Sequence, residues 1–102
     1  MYRCFTCGQH TNTMHEFFYN GKANRNTCIN YKLQIPVCPE HHAWYHRHKK
    51  IGQRVICNKL ELPYEQINIV MNKPVKKWKE YSIKFMSRMR EHMEKILERY
   101  EV

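Results

Sequence analysis

The chain has 102 residues, enough for one domain or for a compact domain with a helical appendage. Its 18 Lys and Arg against 9 Asp and Glu give a net charge of +9, which favours polyanionic partners, nucleic acid first and an anionic membrane surface second. No apolar run approaches the ~18 residues of a spanning helix and the opening Met1-Tyr2-Arg3-Cys4 is not a signal peptide, so the expectation is a cytosolic protein with no membrane segment.

In chain order, the segment MYRCFTCGQHTNTM carries a tight turn between Cys4 and Cys7, closed by Gly8 and leading into a strand. The aromatic run His15-Glu16-Phe17-Phe18-Tyr19, bounded by Asn20-Gly21, predicts that strand over residues 13–19. An Asn- and Lys-rich stretch follows and predicts a loop over 20–33. Gln34-Ile35-Pro36-Val37 reads as a second short strand, with Pro36 placing it at an edge. Pro39 suits the first position of a helix over 39–51, and Gly52 is its expected stop. Residues 53–74, punctuated by Pro63 and Pro74, set no clear element. Beyond them Val75, Trp78, Ser82, Phe85, Met89, Met93, Ile96 and Tyr100 recur every three or four positions, predicting an amphipathic helix of about 25 residues. Its first half is basic and its acids gather after Glu91. The expected class is α+β. Residues 1–52 would form the core, and 53–102 a helical extension that packs on it or forms a homodimer interface.

A chain this short buries a modest core and is often stabilised by a metal or by disulfides. Five cysteines is an odd number, which argues against a purely disulfide framework; in a reducing compartment, close Cys and His more often bind metal. Cys4-Phe5-Thr6-Cys7 and Cys38-Pro39-Glu40-His41 are two knuckles, each offering two ligands at the same spacing. Zn²⁺ takes four N or S ligands in a tetrahedron, so Cys4, Cys7, Cys38 and His41 make a structural zinc site, with His10 the alternative to His41. Cys28 and Cys57 lack close partners and read as buried free thiols.

That leaves His42, His46 and His48 in the cluster. At about 3.6 residues per turn, His42 and His46 share a helix face and can chelate a second ion. His48 turns away into the basic run His46-Arg47-His48-Lys49-Lys50, where Arg47, His48, Lys49 and Lys50 suit phosphate contacts. A further pair, His15-Glu16, sits on the predicted strand between the knuckles.

Taken together, C4-F-T-C7-G8, H15-E16-F17-F18-Y19-N20-G21, N24-R25, Y31-K32-L33 and C38-P39-E40-H41-H42 resemble the small HNH endonucleases, closest to phage and prophage forms, over residues 4–48. The resemblance implies a ββα-metal core whose zinc knuckles bracket a β-hairpin, acting in the cytoplasm of a bacterial host. It implies that His15 and His42, with His46 as an additional helix ligand, hold a catalytic Mg²⁺ or Mn²⁺ against the scissile phosphate, and that Arg25 joins the basic surface meeting nucleic acid. Two departures stand out. The place of the family's usual general-base histidine is held by Glu16, so either Glu16 or His15 is the base. The family's middle asparagine has no clean counterpart; Asn24, Asn26 and Asn30 are candidates.

The implied function is a metal-dependent endonuclease hydrolysing phosphodiester bonds, most readily in DNA. The reading from a different class is a zinc-stabilised nucleic-acid-binding module without catalysis, which uses the knuckles and the charge but leaves His15, Glu16, His42 and His46 unexplained. A protein-binding domain working through the C-terminal helix is the third.

Overall fold

A computed structural model of the chain describes residues 1–17, 22–77 and 79–102. Phe18, Tyr19, the Asn20-Gly21 turn and Trp78 of the expected helical stripe lie outside the described residues, as do the side chains of Asn24 and Val75. The class is α+β: two small two-stranded sheets and a helical remainder.

The first sheet pairs β1 (Tyr2–Arg3) with β2 (His10–Thr11) in antiparallel register around the cysteine turn. Inside it the Cys4 amide donates to the Gln9 carbonyl (2.6 Å) and the Gly8 amide to the Cys4 carbonyl (2.9 Å). Gly8 stands at φ +79°, a conformation open to glycine at little cost. The second sheet pairs β3 (Met14–Glu16) with β4 (Gln34–Pro36), His15 opposite Ile35 and Glu16 opposite Gln34. The Val37 amide extends the second sheet by donating to the Thr13 carbonyl (3.0 Å). Two contacts stitch the sheets together: the Phe5 amide donates to the Pro36 carbonyl (2.8 Å) and the Thr11 hydroxyl to the Val37 carbonyl (2.8 Å). They bring the two knuckles side by side.

Between β3 and β4 the expected loop over 20–33 is instead a helix, α1 (Lys22–Asn30). Its residues hold no Gly or Pro, and burial of Thr27 and Cys28 supplies what weak propensity lacks. Its end explains its length. Lys32 takes φ +54° while the Leu33 amide reaches back to the Cys28 carbonyl (2.7 Å) and the Lys32 amide to that of Ile29 (3.1 Å). This left-handed closure satisfies the last carbonyls of a helix.

Cys38 caps α2 (Pro39–Arg47), with Pro39 in the first turn as its sequence predicts. The helix does not run on to Gly52. It breaks at His48 (φ −123°, ψ 56°) and a new one, α3 (Lys49–Lys59), passes through Gly52. Gly52 is therefore no stop. A Cβ built there would lie 2.6 Å from Tyr45 Cδ1, so glycine is required where α3 crosses the Tyr45 ring. The expected division at 52/53 falls inside this helix.

α3 ends like α1, with Glu61 at φ +55° and the Leu62 amide on the Cys57 carbonyl (2.8 Å). Then come α4 (Tyr64–Met71), a 3-10 turn (Val75–Lys77), α5 (Glu80–Leu97) and a 3-10 turn (Glu98–Tyr100). The C-terminal helix thus starts at Glu80 rather than behind Pro74. Its buried stripe is Ser82, Met86, Met89 and Met93, with Phe85, Ile96 and Tyr100 partly buried beside it. These methionines share one core with Cys4, Phe5, Ile35, Tyr45, Ile56 and Ile67 from the rest of the chain. Tyr100 meets the Phe5 ring (centroids 5.1 Å apart), and Lys59 donates to the Phe5 carbonyl while standing 4.3 Å over its ring. Among the described residues no helix is long and apolar enough to cross a membrane.

Candidate metal centres

The stitching of the two sheets gathers Cys4, Cys7, Cys38 and His41, whose donor atoms all lie within 4.8 Å of one another. Cys7 and Cys38 sulfurs are 3.8 Å apart; His41 Nδ1 stands 3.2 Å from Cys38 Sγ and 3.7 Å from Cys4 Sγ. A tetrahedral zinc with Zn–S of about 2.3 Å and Zn–N of about 2.1 Å separates its ligand atoms by about 3.6–3.8 Å. The four residues can therefore hold a metal ion such as zinc. At Cys4 burial works against the thiolate, but backbone amides of Cys38, Cys7 and Thr6 outweigh it and pull the thiol down to about 6. At Cys7 the Gln9 amide pulls down, but desolvation and the Cys4 and Cys38 sulfurs win and push that thiol up. His10 is exposed on β2 and takes no part.

Next to this cluster lies a second, of His15, His42 and His46, again with donor atoms within 4.8 Å. His42 and His46, one helical turn apart on α2, bring their Nε2 atoms to 3.0 Å. The His15 ring stands 5.2 Å from each of theirs, edge-on to both. Three nitrogens around one ion at about 2.1 Å would sit about 3.0–3.4 Å apart, so the helix pair already has the spacing of a shared ion. His15 is nearly fully buried, and its Nδ1 has no hydrogen-bond partner. Burial first, then the charges of His42 and His46, pushes its imidazole down to about 3. It is held neutral, the form in which a histidine ligates a metal. An orphaned buried nitrogen beside two converging imidazoles fits a metal ion.

Two residues that sequence reasoning passed over shape this centre. The Tyr45 ring stacks on His15 (5.4 Å, 18° between planes), and its hydroxyl shares a 2.7 Å hydrogen bond with Thr6 of the first knuckle. Gln53 of α3, also buried, lines a small recess with His15, Tyr45, His46 and Lys49. The signal for Tyr45 was its place three residues after His42, on the inward side of the helix.

Glu16 is set differently from His15. With Met14, Arg25, His42 and His46 it lines an open cleft of ≈ 260 Å³, and its carboxylate lies 3.6 Å from Arg25 Nε. Arg25 is thus brought to the site, on α1. Asn26 and Asn30 are exposed on the same helix and do not line the cleft. Arg47, His48, Lys49 and Lys50 are exposed around the α2–α3 break, with the His48 ring 4.8 Å from that of Trp44. Cys28 and Cys57 are buried and belong to neither centre.

Comparison with family models, with curated proteins and with solved structures gives no match.

Proposed function

We propose that the chain is a metal-dependent endonuclease of the HNH kind, hydrolysing phosphodiester bonds in DNA inside a bacterial host cell. The observation that carries this reading is the convergence of His15, His42 and His46 beside the four-ligand cluster: β3 supplies His15, α2 and its cap supply Cys38, His41, His42 and His46, and the β1–β2 turn supplies Cys4 and Cys7. A ββα-metal core would place its residues so: β3 and β4 for the strands, α2 for the helix.

A divalent ion held by the three imidazoles would supply Lewis acidity to the leaving oxygen of the phosphodiester. Three neutral nitrogen donors suit Mn²⁺ or a later transition ion better than Mg²⁺, which prefers oxygen. The chain's own residues would do the rest. His15, buried and stacked on Tyr45, is a fixed ligand and poorly placed to exchange protons with solvent. Glu16, facing the open cleft, is the better candidate to orient and deprotonate water, with Arg25 holding its carboxylate. The net charge of +9 would draw the polyanion to this surface.

The test is nicking of supercoiled plasmid by zinc-loaded protein with Mn²⁺ or Mg²⁺ added. Cleavage lost in His42→Ala and reduced in Glu16→Gln supports the reading. Wild-type protein that binds DNA but fails to cleave it, whichever divalent ion is added, leaves the zinc-stabilised binding module in its place.

A further inference from the structure

A hollow of ≈ 520 Å³ against α5 shares no residue with the histidine cleft and has an apolar floor of Leu62, Phe85 and Met89. Two other hollows lie in series beside the cleft. The cleft and the small recess behind it share Glu16 and His46. The recess in turn shares Gln53 with a groove of ≈ 470 Å³ between α3 and α4. Gln53 is only 6% exposed, yet it lines both the recess and the groove. The groove thus adjoins the recess across Gln53, and the recess adjoins the histidine cleft across Glu16 and His46.

The groove is polar, lined by Lys50, Arg54, Asn68 and Asn72 with Glu65 the one acid. Lys50 and Arg54 are exposed and stand one turn apart on the same face of α3. The Arg54 guanidinium carbon lies 4.7 Å from the centre of the Tyr64 ring, a cation–π contact that places the charge at the groove. Across the groove the Asn72 amide donates to Asn68 Oδ1 (3.1 Å), ordering those side chains. Two cations, one of them seated on Tyr64, and several amides suit phosphate oxygens rather than stacked bases.

We propose that this α3–α4 groove is a backbone track: a polynucleotide strand seated at the histidine cleft continues past Gln53 and lays its phosphates on Lys50 and Arg54. The track rests on the nuclease reading for its direction, but its binding can be measured without cleavage. Contacts to phosphate alone make it indifferent to base sequence, and each cation neutralised releases a counterion.

The experiment is fluorescence anisotropy of a labelled DNA duplex of about 20 base pairs, titrated with zinc-loaded protein and no other divalent ion between ~50 and ~200 mM salt. Lys50→Ala/Arg54→Ala should raise Kd at least about tenfold and reduce the salt slope by about two. Lys84→Ala/Arg88→Ala, in the apolar groove on α5, should stay within about twofold of wild type. Asn68→Lys adds a cation to the track and should tighten binding about fivefold, a gain that misfolding does not mimic. Wild-type protein that fails to bind, a groove variant that binds like wild type, or an Asn68→Lys that does not tighten would each overturn the track. If the groove variant loses binding while wild type cleaves nothing, the nuclease reading fails and the track stands. If cleavage is intact while groove variants bind normally, the reverse holds.

Discussion

His41 and His42 are neighbours in sequence but belong to different centres: His41 Nδ1 lies 3.2 Å from Cys38 Sγ, whereas His42 Nε2 lies 3.0 Å from His46 Nε2. Consecutive residues on a helix point about 100° apart, and α2 uses that angle to serve two clusters from one turn. Their alanine variants should therefore separate. His41→Ala should lose tightly held zinc and destabilise the fold by roughly 3–5 kcal/mol, because binding energy at a structural site is folding energy. His42→Ala should keep its zinc and its unfolding midpoint within about 1 kcal/mol, yet lower cleavage at least ~100-fold. Elemental analysis of dialysed protein, a denaturant titration and the nicking assay read the three quantities. Equal zinc loss in both variants would contradict the partition.

Acid stability should follow His15. Its imidazole is pushed down to about 3, chiefly by burial and then by His42 and His46. The unfolded chain takes up that proton near the ordinary value of ~6.5, so it binds more protons than the native form between the two values. Stability is then full above ~6.5 and falls as pH drops through the window, by about 2 kcal/mol between pH ~7 and ~5 from this residue. His15→Phe removes the titrating group and retains a ring on Tyr45. In urea titrations of zinc-loaded protein, its stability should change less than that of wild type over that range. Parallel pH profiles would rule the contribution out.

Thiol reactivity should report the first centre. Cys28 and Cys57 are fully buried, so neither meets a reagent in the folded chain, and burial also pushes the Cys57 thiol up to about 12. Zinc-loaded protein should show no fast-reacting thiol towards an aromatic disulfide reagent. A chelator should release Cys4, Cys7 and Cys38 together. Rapid labelling of Cys7 alone before chelation would mean that it is not a ligand.

Gly52→Ala should destabilise, although alanine is the better helix former by up to ~1 kcal/mol. The new Cβ would meet Tyr45 Cδ1 at 2.6 Å, and that ring is held by the Thr6 hydrogen bond and the His15 stack. Overpacking of this kind costs about 1–3 kcal/mol, and displacement of Tyr45 would also loosen His15. Equilibrium unfolding gives the first effect, and metal titration of the histidine cluster the second. A stabilised variant would show that Tyr45 yields freely.

Much of the two centres was legible because their information is local. Two ligands at the same short spacing announce each knuckle, and His42 with His46 follows from the helical repeat. The elements misread were those decided at a distance. The stretch 22–30 looks like a loop by composition, and it is a helix because Thr27 and Cys28 are buried and Lys32 closes its end. Gly52 carries the ordinary mark of a helix stop; the Tyr45 ring that demands it there belongs to another helix. α5 begins at Glu80, later than its apolar repeat, because the 3-10 turn Val75–Lys77 takes up the chain behind Pro74. The track along α3 and α4 had no local signature, since Lys50, Arg54 and Asn68 meet only when the two helices are set side by side.

The contact between Phe5 and Tyr100 imposes an order on synthesis. A ribosome delivers Cys4 and Cys7 first and Cys38 with His41 some thirty residues later. The aromatic lid on Phe5 arrives only with the final helix. Metal capture can therefore begin on a nascent chain whose first knuckle is still uncovered, and the emerging C-terminal segment would seal it. Ribosome-stalled chains ending before residue 80 should exchange bound zinc faster than chains that include Tyr100, so that the turn carrying Tyr100 acts as a latch over the first knuckle.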